Sequence, residues 1–212
     1  MDKHYEKEKL QFQVERIAFL SDAVIAIAVT LLIFEIKAPQ IEPGSTIDEQ
    51  LNQLKKLFPQ FVAFVISFVI ILLQWKKHHS LFGRVTNYDN KLLVLNSAFL
   101  FVTTFIPFST SYFAQNSTSE YYLPVLVYGI SLFLLSVLNY FIFAHVTDSK
   151  SNLFDKTLSK NQLKLIRIEY LIFPIGLIAG LAAGFINPVF GFIAYALIVV
   201  LGSVINRKKA AA

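Results

Sequence analysis

Residues 16–37 read RIAFLSDAVIAIAVTLLIFEIK, and between Arg16 and Glu35 the apolar run is broken by one charge, Asp22. At about 1.5 Å per residue, a helix of this length reaches about 30 Å, the thickness of a bilayer's hydrocarbon core. Comparable runs recur along the chain, and the spacing predicts transmembrane helices at 17–36, 57–75, 92–113, 122–145, 165–184 and 188–205. The remaining composition agrees: 55% of residues are hydrophobic, 21 are Phe, and the mean hydropathy is +0.57, which excludes a water-soluble domain of this size. The expected fold is therefore an all-α membrane protein in which residues 1–212 form a single six-helix transmembrane domain. The first run is too long for the apolar core of a signal peptide and carries a charge, so it is expected to stay in the mature chain. With no cysteine, neither a disulfide nor a thiolate metal site is available.

The basic residues set the orientation. Sixteen of the 19 Lys and Arg lie before the first span, between the second and third, between the fourth and fifth or, as Arg167, in the opening turn of the fifth, or after the sixth. The other three, Lys37, Lys55 and Lys56, share a loop with Glu42, Asp48 and Glu49. The positive-inside rule then places both termini in the cytoplasm, which an even number of spans also requires. Charge that alternates with the loops serves topology, so the net +5 does not argue for a nucleic-acid partner.

The first extracellular loop has its own punctuation. Ser45 and Thr46, followed three residues later by Asp48 and Glu49, read as a helix start, and a short amphipathic helix is expected from there to Leu57, with Pro59 in the first turn of the second span. Pro107 and Pro174 fall inside spans, where neighbouring helices can satisfy the freed carbonyls.

Asp22 lies about 9 Å into the first span on an ideal helix. A carboxylate there costs about 2.5–3.5 kcal/mol on insertion scales, so it needs a partner, for which Arg16 or a histidine is the candidate. On the same helix Ala23, Ile27, Thr30 and Phe34 follow i, i+4, i+7 spacing with Leu31 beside them, while Asp22 points elsewhere. By spacing alone such a stripe faces lipid, another helix or a pore. Around an axis it would stack apolar rings, which gate by dewetting, on a ring of threonine hydroxyls that replaces part of an ion's hydration.

Two other features point nowhere by themselves. Val127, Tyr128 and Gly129 resemble part of a carbonyl selectivity filter, but they lie inside a continuous apolar helix. His78, His79 and His145 lack the carboxylate cluster that would make a metal site, and no catalytic Ser/His/Asp set or carboxylate pair emerges in the spans, so an enzyme is not expected.

Three elements occur in order along the first half of the chain: Arg16 followed by Leu20, Ser21 and Asp22; Trp75 followed by His78; and Leu95, Asn96, Pro107, Phe108 and Thr110 in the third span. Together they resemble the transmembrane protein 175 family of endolysosomal potassium channels, in its short bacterial form. The family has Phe where this chain has Leu20, with Phe19 next door. The resemblance implies a potassium-permeable channel: a homotetramer of six-helix protomers around a central pore lined by the first helix, with no carbonyl filter. It implies an apolar constriction at Ile27, Leu31 and Phe34 with Thr30 as the polar layer beside the permeating potassium ion. It further implies an interhelical network of Arg16, Ser21, Asp22, Trp75 and His78 near the cytoplasmic mouth. The partners implied are the lipid bilayer, monovalent cations and further copies of the chain; the location is a bacterial inner membrane, and no cofactor is called for. The alternative is a proton-coupled or secondary transporter that uses Asp22 and His78 as its relay.

Overall fold

The computed structural model describes residues 3–116, 122–155 and 157–186, together with Ile193 and Leu197. Those two residues apart, the span expected at 188–205 lies outside the described residues. The elements are α1 (Lys3–Leu31), continued by a 3-10 turn (Leu32–Glu35), then α2 (Ile47–Lys56), α3 (Phe58–Phe82), α4 (Asn90–Gln115), α5 (Tyr122–Val146) and α6 (Lys160–Ile186). Among the described residues there is no strand, and five helices are long and apolar enough to cross a membrane.

The helices outrun the apolar runs that announce them. With 29 residues, α1 is about 43 Å long, so its polar start, Lys3–Glu15, continues past a hydrocarbon core of about 30 Å. Likewise α3 continues from Trp75 through Lys76–Phe82 and ends at Gly83. Basic residues end the apolar run without ending the helix, because Lys is a good helix former and the chain has left the hydrocarbon there.

At the opposite end, α2 begins with a capping box. Thr46 Oγ1 accepts from the Glu49 amide at 3.4 Å, and Glu49 Oε2 accepts from the Thr46 amide at 2.8 Å. No residue of α2 is buried; Ile47, Leu51 and Leu54 are all exposed. Pro59 stands in the first turn of α3, where its missing N–H leaves no bond unmade.

Packing runs in order across the bundle. α1 packs on α3 and α4, α4 packs extensively on α5, and α5 carries α6. The core is a continuous apolar cluster that includes Ile25, Ile70, Phe99, Ile106, Leu132, Leu135, Ile142 and Leu177. At the basic-loop end, the α3–α4 and α5–α6 loops hold each other. Val85 and Phe154 form an isolated antiparallel bridge, Thr86 N donates to Leu153 O at 2.9 Å, and Asp155 N donates to Arg84 O at 3.0 Å.

Asp89 ties the start of α4 to the end of α5. Its carboxylate accepts from the Leu92 amide at 2.7 Å and meets His145 Nε2 at 2.9 Å. Partial burial works against the charge, but the Leu92 N–H and His145 outweigh it and hold the carboxyl below its ordinary range. A depressed carboxyl stabilises the fold above the ordinary carboxylate pKa and loses that contribution as pH falls through the folded value. Asp89→Ala should therefore cost about 1–2 kcal/mol near neutrality, through the lost cap, and lower Tm accordingly. The gap to wild type should narrow as the pH falls below the ordinary carboxylate range; a gap that stays constant with pH would show that the charge of Asp89 contributes nothing.

Candidate functional site

At about 100° per residue, α1 and the 3-10 turn that continues it present two unlike faces. Ser21, Ile25, Ala28, Val29 and Leu32 are buried toward α3 and α4, and the small Ala28 lets the backbones approach closely. The other face stays bare in the protomer: Ile27 is 59% exposed, Leu31 44% and Phe34 76%, with Ala23 and Thr30 also exposed. On this bare stripe the Thr30 hydroxyl donates to Ile27 O at 2.8 Å. Its proton is thus used within the helix, and its oxygen lone pairs remain available as acceptors on the exposed side.

The buried side of α1 is clasped by two sets of hydrogen bonds. In one, Trp75 Nε1 donates to Asp22 Oδ1 at 2.7 Å, and His79 Nδ1 lies 3.6 Å from Asp22 Oδ2. In the other, Asn96 Nδ2 donates to Ser21 Oγ at 2.9 Å while Asn96 Oδ1 accepts from His78 Nε2 at 2.8 Å. Ser21 also donates to Ile17 O at 2.9 Å. The His78 ring is stacked between Phe82 and Phe99, with centroids 4.3 and 5.1 Å away. Ser21, His78 and Asn96 are all buried, so one asparagine on α4 joins α1 to α3 where water cannot compete.

Of the five residues expected in one interhelical network, the structure brings Ser21, Asp22, Trp75 and His78 into this clasp and leaves Arg16 out. Arg16 and Asp22 are six positions apart, which turns them about 120° away from each other on a helix. Asp22 faces α3, whereas the Arg16 guanidinium lies 6.0 Å over the Phe12 ring and is exposed. Nor do Asp22 and His78 share a hydrogen bond; each has its own partner, Trp75 and Asn96 respectively.

Two further polar ties hold the bundle together away from α1. Between α3 and α5, Asn139 Nδ2 donates to Gln74 Oε1 at 2.9 Å, and Gln74 Nε2 donates to Ser136 Oγ at 3.0 Å. Deeper between α3, α4 and α5, Ser67 Oγ lies 2.9 Å from Thr110 Oγ1 and 2.8 Å from the Tyr128 hydroxyl, whose ring stacks on Phe113 at 4.9 Å. The signal for the first was present: Gln74 and Asn139 are strongly polar side chains inside apolar runs, where they need partners. Hydroxyls such as Ser67 give no such signal, because they can always bond to their own helix. His145, considered above as a possible ligand, is engaged by Asp89.

The comparisons with known proteins follow the same residues. The family model for the endosomal/lysosomal potassium channel TMEM175 matches residues 16–107, the segment that contains the second half of α1, both sides of the clasp and most of α4. A protein of Streptomyces collinus named as a potassium channel is 30% identical over 172 residues, covering 79% of this chain and 81% of the relative. Another, from Chamaesiphon minutus, also named as a potassium channel, is 39% identical over 105 residues; the match covers 50% of this chain and spans only about half, 51%, of that relative. Among solved structures, a lysosomal potassium-selective channel TMEM175 homolog from Chamaesiphon minutus superposes with a TM-score of 0.76 at 25% identity, covering 92% of this chain and 97% of the other. Five apolar helices of membrane-spanning length make the chain an integral membrane protein, and these matches make it a member of the TMEM175 potassium channel family.

Proposed function

We propose that the chain is a potassium-permeable channel, a homotetramer whose central pore is lined by α1. In this reading residues 1–212 form one six-helix transmembrane domain with both termini in the cytoplasm of a bacterium, the protein sits in the inner membrane, and the permeating ion is the only cofactor-like species. The observation that carries it is the asymmetry of α1. One face is held by the clasp, and the opposite face, continued into the 3-10 turn, presents Ile27, Thr30, Leu31 and Phe34 bare at the edge of the protomer. Four such stripes around an axis make an apolar constriction at Ile27, Leu31 and Phe34, with Thr30 oxygens turned toward the ion. Selectivity then arises from side chains, which favours potassium over sodium less steeply than a cage of carbonyls does. The relatives named as potassium channels support the choice of ion.

A relay through Asp22 and His78, as a proton-coupled carrier would need, receives less support, since the two side chains belong to separate hydrogen-bonded sets. Purified protein in liposomes should collapse a potassium gradient with a flux that does not saturate and is not coupled to pH. Flux no greater than that of empty vesicles would overturn the channel. Saturable, pH-coupled uptake abolished by Asp22→Asn would establish the carrier instead.

A further inference from the structure

A cavity of about 300 Å³ opens where the end of α3 meets α5, α6 and the α5–α6 loop. Its polar side is made by Lys76, Lys77, Ser80 and Arg84, with Glu169 as the one acidic residue among those lining it, so the lining carries a net positive charge. The rest of the lining is largely apolar and includes Phe143, Leu158 and Ile166.

The cavity is built rather than incidental. Lys77 Nζ donates to Glu169 O at 3.0 Å and lies 5.2 Å and 5.4 Å over the rings of Tyr170 and Phe173. The buried Tyr170 hydroxyl in turn donates to Lys77 O at 3.0 Å. On the other side, the bridge between the two loops fixes the backbone of Arg84 against Asp155. The Arg84 side chain has one long contact, 3.4 Å to Thr157 Oγ1, which leaves most of its five donors unused. Lys76 is exposed and has no partner among the described residues.

We propose that this cavity binds the phosphate of an anionic phospholipid headgroup from the leaflet that faces the basic loops. A guanidinium fork, ammonium groups and a hydroxyl lining one cavity match the several oxygens of a phosphate better than a single carboxylate does. The apolar wall and the position at the membrane end of α3 and α5 favour a ligand with hydrocarbon attached, and basic pockets between helices on this side of a membrane suit anionic headgroups. Lys76 and Lys77 stand between Trp75 and His78 on α3. An occupant would therefore brace the stretch of α3 that holds α1, whatever passes through the pore.

The test uses the complete chain, purified in detergent and titrated with phosphatidylglycerol, phosphatidylcholine or inorganic phosphate, with Tm and native mass spectrometry as readouts. Phosphatidylglycerol should bind and raise Tm, and phosphatidylcholine should not. With a factor of about five for each basic residue near an anionic surface, Lys76→Gln with Arg84→Gln should weaken phosphatidylglycerol binding about 25-fold. Ser80→Asp, which leaves both cations in place, should weaken it too. Lys160→Gln with Lys164→Gln, basic residues of α6 outside the cavity, should stay within about twofold of wild type. Equal binding by wild type and the cavity variants, an equal loss in the α6 control, or an equal response to phosphatidylcholine would each overturn the proposal. Saturation by millimolar inorganic phosphate alone would replace the lipid with a soluble anion.

Discussion

Asn96→Leu is expected to destabilise the chain by about 2–3 kcal/mol, with a lowered Tm and a smaller monodisperse fraction in detergent. The substitution keeps the side chain close in size but removes the acceptor for His78 and the donor to Ser21. Interhelical hydrogen bonds in membranes average about 0.6 kcal/mol and reach about 1.7. That range alone, over two bonds, would give about 1–3 kcal/mol, and the unmet need of the buried His78 N–H pushes the result to the upper part. A second substitution isolates the cause. His78→Phe keeps an aromatic ring between Phe82 and Phe99 while discarding the donor. Alone it strands Asn96, but together with Asn96→Leu it converts the joint to an apolar contact, so the pair should cost at least about 1 kcal/mol less than the sum of the singles. Strict additivity would mean that the hydrogen bond between them carries no stability.

The second large effect concerns conduction. Ile27→Asn and Leu31→Ser should each raise single-channel conductance severalfold and bring the potassium-to-sodium permeability ratio closer to one. An apolar ring narrow enough to shed water imposes a desolvation barrier on the ion, and a polar ring removes part of it. Each reduction of about 1.4 kcal/mol in that barrier multiplies the rate about tenfold, so even partial wetting is measurable. Stability should not interfere, because both side chains are exposed in the protomer. Ile25→Asn, on the buried face at 3% exposure, supplies the contrast and should fail to yield folded protein. Conductance and reversal potential unchanged in both Ile27→Asn and Leu31→Ser would assign the bare stripe of α1 to lipid or to another helix.

Much of this architecture is legible in the residues because hydrocarbon thickness is a strict ruler. The described spans can be read from unbroken apolar length, and α2 from the Thr46–Glu49 capping pair. Helix ends are less legible, since nothing at Lys76 or Lys77 stops a helix that has merely left the apolar core. The clasp was partly readable: Asp22 demanded a partner, and Trp75 and His78 lay at suggestive positions. Which histidine reaches which acceptor was not readable, because His78 and His79 are adjacent in the chain yet point about 100° apart, one into the bundle toward Asn96 and one outward toward Asp22. Arg16 shows the limit of reading by signature, for its place on the helix turns it away from the carboxylate beside which it is written. The Gln74, Ser136 and Asn139 tie depends on how α3 and α5 align along their length, a relation that no local spacing contains.

The indole that holds Asp22 belongs to the chain's one tryptophan. The ultraviolet emission of the unlabelled protein therefore reports on a single joint, the contact between α1 and α3. Its wavelength and quenching follow that contact without an added dye, so any stimulus that moves α1 away from α3 registers as a change in intrinsic fluorescence.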